Sequence, residues 1–198
     1  MPRAINTEVR ERIVATAYRL FHNRGYKSVS MDDVAKATGL KKANLFHYYP
    51  TKETLGLAVL DCMGATFRKQ VVADLADDTV DPIDRIAGMY TTMAERVTAA
   101  GGDMPSVVGN VVVEMSSQPS LQAKIEEDML FWADQLTSFL QSWKKRGYFK
   151  RNMNTRCAAM TFISLLQGSV VHWKATSDIE PFTQSATCVR TFLGQLKR

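Results

Sequence analysis

The chain has 198 residues, 45% hydrophobic and 23% charged, which excludes a disordered polymer and predicts a buried core in one large domain or in a small domain joined to a larger one. Its net charge is +5, and ten of the 25 basic but only five of the 20 acidic residues fall before residue 57. The whole excess therefore sits at one end, and that end is expected to meet a polyanion.

Residues 1–12, MPRAINTEVRER, are polar from the start and contain no apolar run of the secretory kind. The first helix follows, with Val9, Ile13, Ala17, Leu20 and Phe21 on one face and Gly25 as its stop. Ser30 and Asp33 form a capping-box pattern for a second helix, MDDVAKA, ending at Gly39. A third short helix runs from about Lys41 and is closed by Pro50. Thr51 is the expected N-cap of a longer fourth helix beginning KETLGLAVLDCM.

Asp81 and Pro82 open a fifth helix with Ile86, Met89, Met93 and Val97 on its apolar face. A glycine turn at 101 and 102 precedes a Val-rich segment, 105–115, expected to be helical because a single strand would have no partner. From Pro119, the positions Leu121, Ile125, Met129, Trp132, Leu136, Leu140 and Trp143 advance by three and four, the most regular amphipathic pattern in the chain. Two further helices are expected over 154–175 and 181–196. The stretch 157–173 is the most apolar of all, but it is shorter than the ~20 residues a membrane span requires and is interrupted by polar side chains, so it reads as a buried helix. No membrane association is expected. The fold class is all-α with about nine helices: a helix-turn-helix DNA-binding domain over 1–52, with the coupling helix starting at 52, then a helical domain over 53–198.

The stretch ATGLKKANLFHYYPTKETL, 37–55, carries the chemistry. Two short helices joined at Thr38-Gly39-Leu40 make the arrangement that lays a second helix in the DNA major groove. Lys41, Lys42, Asn44, His47, Tyr48, Tyr49 and Lys52 are read as facing outward, with Leu40 and Leu45 anchoring the unit inward. The lysines supply charge for phosphates and Asn44 offers an amide able to pair with a base edge. Double-stranded DNA is the expected partner.

Residues 7–60 resemble the DNA-binding domain of the TetR/AcrR family of bacterial transcriptional regulators. The resemblance lies in FHNRGY at the end of the first helix and in SMDDVAKATGLKKANLFHYYPTKETL. The latter is similar to the family's T-x-x-x-[IV]-A-x-x-[AV]-G-[VL]-[ST]-x-[GA]-x-[LF]-Y-x-[HY]-F-x-[ST]-K-x-x-L. PSVVGNVVVEMSSQPSLQ, 105–122, is similar to a further family region. The resemblance implies groove-facing roles for Lys42, Ala43, Asn44 and His47, and phosphate contacts for Ser30, Lys41, Tyr48 and Lys52. Phe46 stands where the family usually has tyrosine; it can pack or touch a thymine methyl, but it has no hydroxyl to donate. The resemblance further implies a homodimer on a pseudo-palindromic operator, more often repressing than activating, with a small-molecule effector as input.

The remainder is rich in Met and aromatics. Met63, Phe67, Met89, Tyr90, Met93, Met115, Met129, Trp132 and Phe162 are either ordinary core or the lining of an adaptable apolar pocket, and the sequence leaves both open. His172 and Glu114 are the polar groups expected half-buried beside such a cavity. Ala158, Ser164, Gly168, Ala186, Val189, Phe192 and Leu193 lie among small residues that allow close helix approach, and the resemblance implies that these last two helices form the dimer interface.

The chain holds three histidines and no GxSxG, HExxH, P-loop or GxGxxG, so no enzyme is expected. Cys62, Cys157 and Cys188 are odd in number and widely spaced, against a disulfide framework or a metal site and for a reducing cytoplasm. No cofactor is expected. A rival keeps the DNA-binding head and senses oxidants through Cys62 on the coupling helix.

Overall fold

A computed structural model describes residues 6–99 and 110–198. Among them lie nine α-helices and no strand: α1 (Thr7–Arg24), α2 (Met31–Thr38), α3 (Lys42–Tyr48), α4 (Lys52–Ala76), α5 (Pro82–Ala99), α6 (Asn110–Met115), α7 (Pro119–Lys145), α8 (Thr155–Thr176) and α9 (Glu180–Leu196). The all-α expectation holds. The glycine turn at 101 and 102 and the first part of the Val-rich segment, 105–109, lie outside the described residues; the remainder of that segment is α6.

Short-range side-chain chemistry fixes most of the helix starts. The Asn6 side chain accepts from the amides of Glu8 and Val9 at 2.9 and 3.3 Å and opens α1. Ser30 and Asp33 make the reciprocal box: the Ser30 hydroxyl accepts from the Asp33 amide at 3.2 Å and the Asp33 carboxylate accepts from the Ser30 amide at 2.8 Å. Thr51 caps α4 through the Thr54 amide at 3.0 Å, and Asp81 caps α5 through the Ile83 amide at 2.9 Å, with Pro82 first in the helix. Gly39 ends α2 at φ +70°, a left-handed conformation that lets the chain turn sharply toward α3.

Compactness divides the chain into two units, Met1–Thr66 with Pro105–Glu127, and Phe67–Met104 with Asp128–Arg198. In the first, Ile13, Ala17 and Phe21 of α1 are fully buried along with Leu45, Leu55 and Leu121. A Cβ on Gly56 of α4 would stand 3.3 Å from Leu121 and Tyr26, so the start of α7 packs closely against the start of α4 where glycine leaves room. In the second, α9 packs against α5 and α8. Tyr90 donates to the Phe162 carbonyl at 2.6 Å, and the Ser169 and Ser185 hydroxyls meet at 3.0 Å where small residues bring α8 close to α9. Tyr148 hydrogen-bonds Asp81, and the Lys197 ammonium lies 4.5 Å from the Tyr148 ring centroid, holding the end of α9 to the start of α5.

Candidate nucleic-acid interface

α3 has seven residues, too few to persist alone in water. Leu45 is its completely buried side chain, and Tyr49, one residue beyond its end, is also buried. Tyr49 therefore corrects the sequence reading, which turned it outward. Its ring faces the first unit's interior and its hydroxyl accepts from Arg10 Nε at 3.2 Å, tying the end of α3 to α1. Leu40 is only half-buried, so Tyr49 takes up the anchoring assigned to it.

With those anchors in place, Lys41, Lys42, Ala43, Asn44, Phe46 and His47 are all exposed, and Tyr48 is half-exposed. The helix shows solvent an almost continuous polar and cationic face. Lys42 pairs with both carboxylate oxygens of Asp32 on α2, at 2.8 and 3.0 Å. Its ammonium also lies 5.9 Å from the Phe46 ring centroid. Lys41 is the N-cap residue of α3 but provides no side-chain cap, which leaves the first amides of the helix open.

Two of the residues expected at phosphates are already engaged. The Ser30 hydroxyl serves the cap of α2. Lys52 is half-buried: its ammonium lies 4.4 Å from the Tyr26 ring centroid and donates to the Lys27 carbonyl at 3.3 Å. Burial pulls its pKa below the ordinary 10.5, against the attraction of Glu114 and Asp33.

The residues proposed from composition as a pocket separate. Met63 and Met115 belong to the first unit, whereas Phe67, Met89, Tyr90, Met93, Met129, Trp132, Phe162 and His172 belong to the second. Phe67 and Trp132 meet edge to face at 5.2 Å, and the Trp132 indole nitrogen is buried without a hydrogen-bond partner among the described residues. Asp128, one helical turn before it, is buried and ion-paired with Arg68. Met89 lines a small groove of about 150 Å³ with Asp74, Arg85 and Thr92. His172 corrects the expectation of a half-buried polar group. It is exposed on α8 and lines an open groove of about 650 Å³ together with Met160, Ser164, Gly168 and Ser185. Glu114 is half-buried as expected, but its carboxylate faces the α1–α2 turn and accepts from the Lys27 amide at 2.9 Å.

Of the residues expected at a dimer interface, Ala158, Ala186, Val189 and Leu193 are buried within the chain. They pack α8 and α9 inward and offer no surface to a partner. Ser164, Gly168 and Phe192 are exposed, and Met160 and Val171, which sequence reasoning missed, share that exposure on α8. Helical spacing placed the small residues on these helices, but it did not tell the inner face from the outer.

Residues 13–59 match the model of the bacterial regulatory proteins of the tetR family. The chain is 23% identical over 185 residues to the HTH-type transcriptional repressor DhaR of Mycobacterium sp. (strain GP1), covering 92% of this chain and 91% of that one. Its fold is similar to the crystal structure of a TetR transcriptional regulator from Chloroflexus aurantiacus, with a TM-score of 0.83 at 23% identity and 96% of each chain covered. It is also similar to a transcriptional regulator from Saccharomonospora viridis solved in complex with choline, with a TM-score of 0.77 at 18% identity, covering 97% and 98% of the two chains. A motif matched at the exposed helix, a relative named as a repressor over nearly the whole chain and a similar fold agree: residues 13–59 carry the DNA-binding domain of the tetR family, and the chain resembles DNA-binding transcriptional regulators of that family along its length rather than an enzyme.

Proposed function

We propose that the protein is a homodimeric repressor that reads a pseudo-palindromic operator and leaves it when a small, largely apolar effector binds. The observation that carries this reading is α3 itself, a seven-residue helix held by Leu45 and Tyr49 with Lys42, Ala43, Asn44, Phe46 and His47 exposed and Lys41 exposed at its cap. Lys42, Ala43, Asn44, Phe46 and His47 meet base edges or the groove wall, and Lys41 and Tyr48 meet phosphates. Ser30 contributes through the start of α2. Lys52 braces the turn behind the helix and reaches DNA only if it leaves the Lys27 carbonyl.

Two such helices must be about 34–36 Å apart to read successive major grooves, which a dimer provides and a monomer does not. The exposed outer face of α8 and α9, with Met160, Ser164, Gly168, Val171 and Phe192, supplies the apolar surface for that dimer. The effector reading rests on the second unit, where Phe67 and Trp132 meet beside the Arg68–Asp128 pair and the Met129 sulfur accepts from the Gln167 amide at 3.2 Å. The relative holding choline supports a small-molecule input for this fold. α4 carries the signal, because it begins behind α3 and ends in the second unit.

The test is selection of bound sequences from random duplex DNA at two salt concentrations, followed by effector screening on the selected operator. A palindromic motif with steep salt dependence is expected. Recovery of no motif, with weak binding only at low salt, would refute the reading. Oxidant sensing competes with the apolar effector, since Cys62 on α4 is exposed. If peroxide releases the operator from wild type but not from Cys62→Ser, the oxidant is the input.

A further inference from the structure

The α1–α2 turn is gripped from two sides. Gly25 ends α1 at φ +83°, and Tyr26 and Lys27 follow before α2 begins. Both main-chain groups of Lys27 are taken: Glu114 of α6 accepts from its amide at 2.9 Å, and Lys52 of α4 donates to its carbonyl at 3.3 Å. The Glu114 carboxylate lies directly over Gly25, because a Cβ there would stand 2.8 and 2.9 Å from its two oxygens. Such an approach requires a residue with no side chain and a backbone conformation that L side chains rarely adopt. The neighbouring Met115 is fully buried and comes within 3.4 Å of a Cβ placed on Gly56, so α6 is seated at this spot by packing as well as by the carboxylate.

We propose that Glu114 is a positioning residue for DNA reading, a latch by which α6 sets the α1–α2 turn and, through it, the presentation of α2 and α3. The proposal rests on the assignment of α3 as the reading helix. The turn leads directly into Ser30, the cap of α2, and α2 is joined to α3 by Gly39 and by the Asp32–Lys42 pair. A displacement at Lys27 therefore reaches the reading helix through the Ser30 cap and the Gly39 turn, neither of which involves Glu114 touching DNA. Within the first unit the latch is a second hold on the turn, beside that of Lys52 on α4. A ligand that shifts α6 withdraws the acceptor from Lys27 without first moving α4.

The experiment combines two measurements on the full-length protein. Amide hydrogen exchange at Lys27 is read in free wild type, Glu114→Ala and Glu114→Gln. Affinity and its salt dependence are read on the duplex selected with the wild-type protein. Glu114→Ala is expected to accelerate exchange at Lys27 and to raise Kd by about tenfold, as couplings of this kind do. The slope of log K against log salt should stay unchanged, because no phosphate contact is lost. Glu114→Gln keeps an oxygen acceptor and should recover most of the exchange protection and the affinity. Unaltered exchange in Glu114→Ala, or faster exchange with wild-type affinity, would overturn the proposal, as would a Gln variant as weak as the Ala variant. Failure of wild type to bind any selected duplex would overturn the reading helix assignment beneath it, and is distinguishable because it precedes every substitution.

Discussion

Lys41 and Asn44 stand three residues apart on one short helix, yet their chemistry separates them. A lysine ammonium neutralises a phosphate irrespective of sequence, whereas a carboxamide can match the donor and acceptor of an adenine edge. Lys41→Ala should weaken binding evenly across operator variants and reduce the salt slope by about one. Asn44→Ala should cost about 1–3 kcal/mol on the preferred operator and flatten the preference at a single base pair, both read by titration against a panel of single-base variants. Phe46 provides the converse case. It is 36% exposed and carries no polar atom, so Phe46→Tyr adds a donor at the interface without burying anything new. A roughly three- to tenfold gain in operator affinity is expected, the size of one added hydrogen bond. Loss of affinity on that substitution would mean that the ring packs against an apolar group such as a thymine methyl.

At the level of single helices, much of the fold was legible because caps act over three or four residues. Ser30 with Asp33, Thr51, and Asp81 with Pro82 each place a helix start correctly, since acceptor and amide are close in the chain as well as in space. The Ser30–Asp33 box also predicts a pH dependence. The Asp33 carboxyl is held below its ordinary value of 3.8, chiefly by hydrogen bonds from the Ser30 hydroxyl and amide, with Arg24 and Lys36 adding to the effect. A depressed folded pKa means that the stabilisation is fully present above the unfolded value and disappears as pH falls through the folded one. Ser30→Ala should therefore lower Tm by about 2–4 °C at neutral pH, and the gap from wild type should narrow in thermal melts carried below the ordinary carboxylate range, leaving the share due to the hydroxyl's bond from the Asp33 amide. Tyr49 was misread for the opposite reason. An aromatic with a polar tip suits either a duplex or an interior, and its partner Arg10 lies 39 residues away, beyond any local pattern.

For the molecule as a whole, the sequence indicated where charge and amphipathic helices lie, but not which distant helices meet. The faces of α8 and α9 illustrate the limit: Val189 and Leu193 are buried while Phe192 between them in sequence is exposed, a difference set by where α5 and α8 pack. If α8 and α9 form the proposed dimer seam, Phe192→Glu should give up one edge-to-face contact with Phe162 and convert dimer to monomer in sedimentation velocity, with operator affinity falling by at least tenfold as the second half-site is lost. The Lys42–Asp32 pair has a consequence on the scale of a genome. Before any duplex can take the ammonium, Asp32 must give it up, so the acidic side chain competes with every DNA molecule the protein meets. At the operator, base contacts compensate for that competition; on unrelated sequence nothing does. Asp32→Asn should raise affinity for random duplex and for the operator alike by roughly two- to fivefold, the range of an exposed ion pair, when both are measured in the same buffer. On the proposed reading, one surface carboxylate would shorten each stop on unrelated sequence, where no base contact offsets its competition for the ammonium.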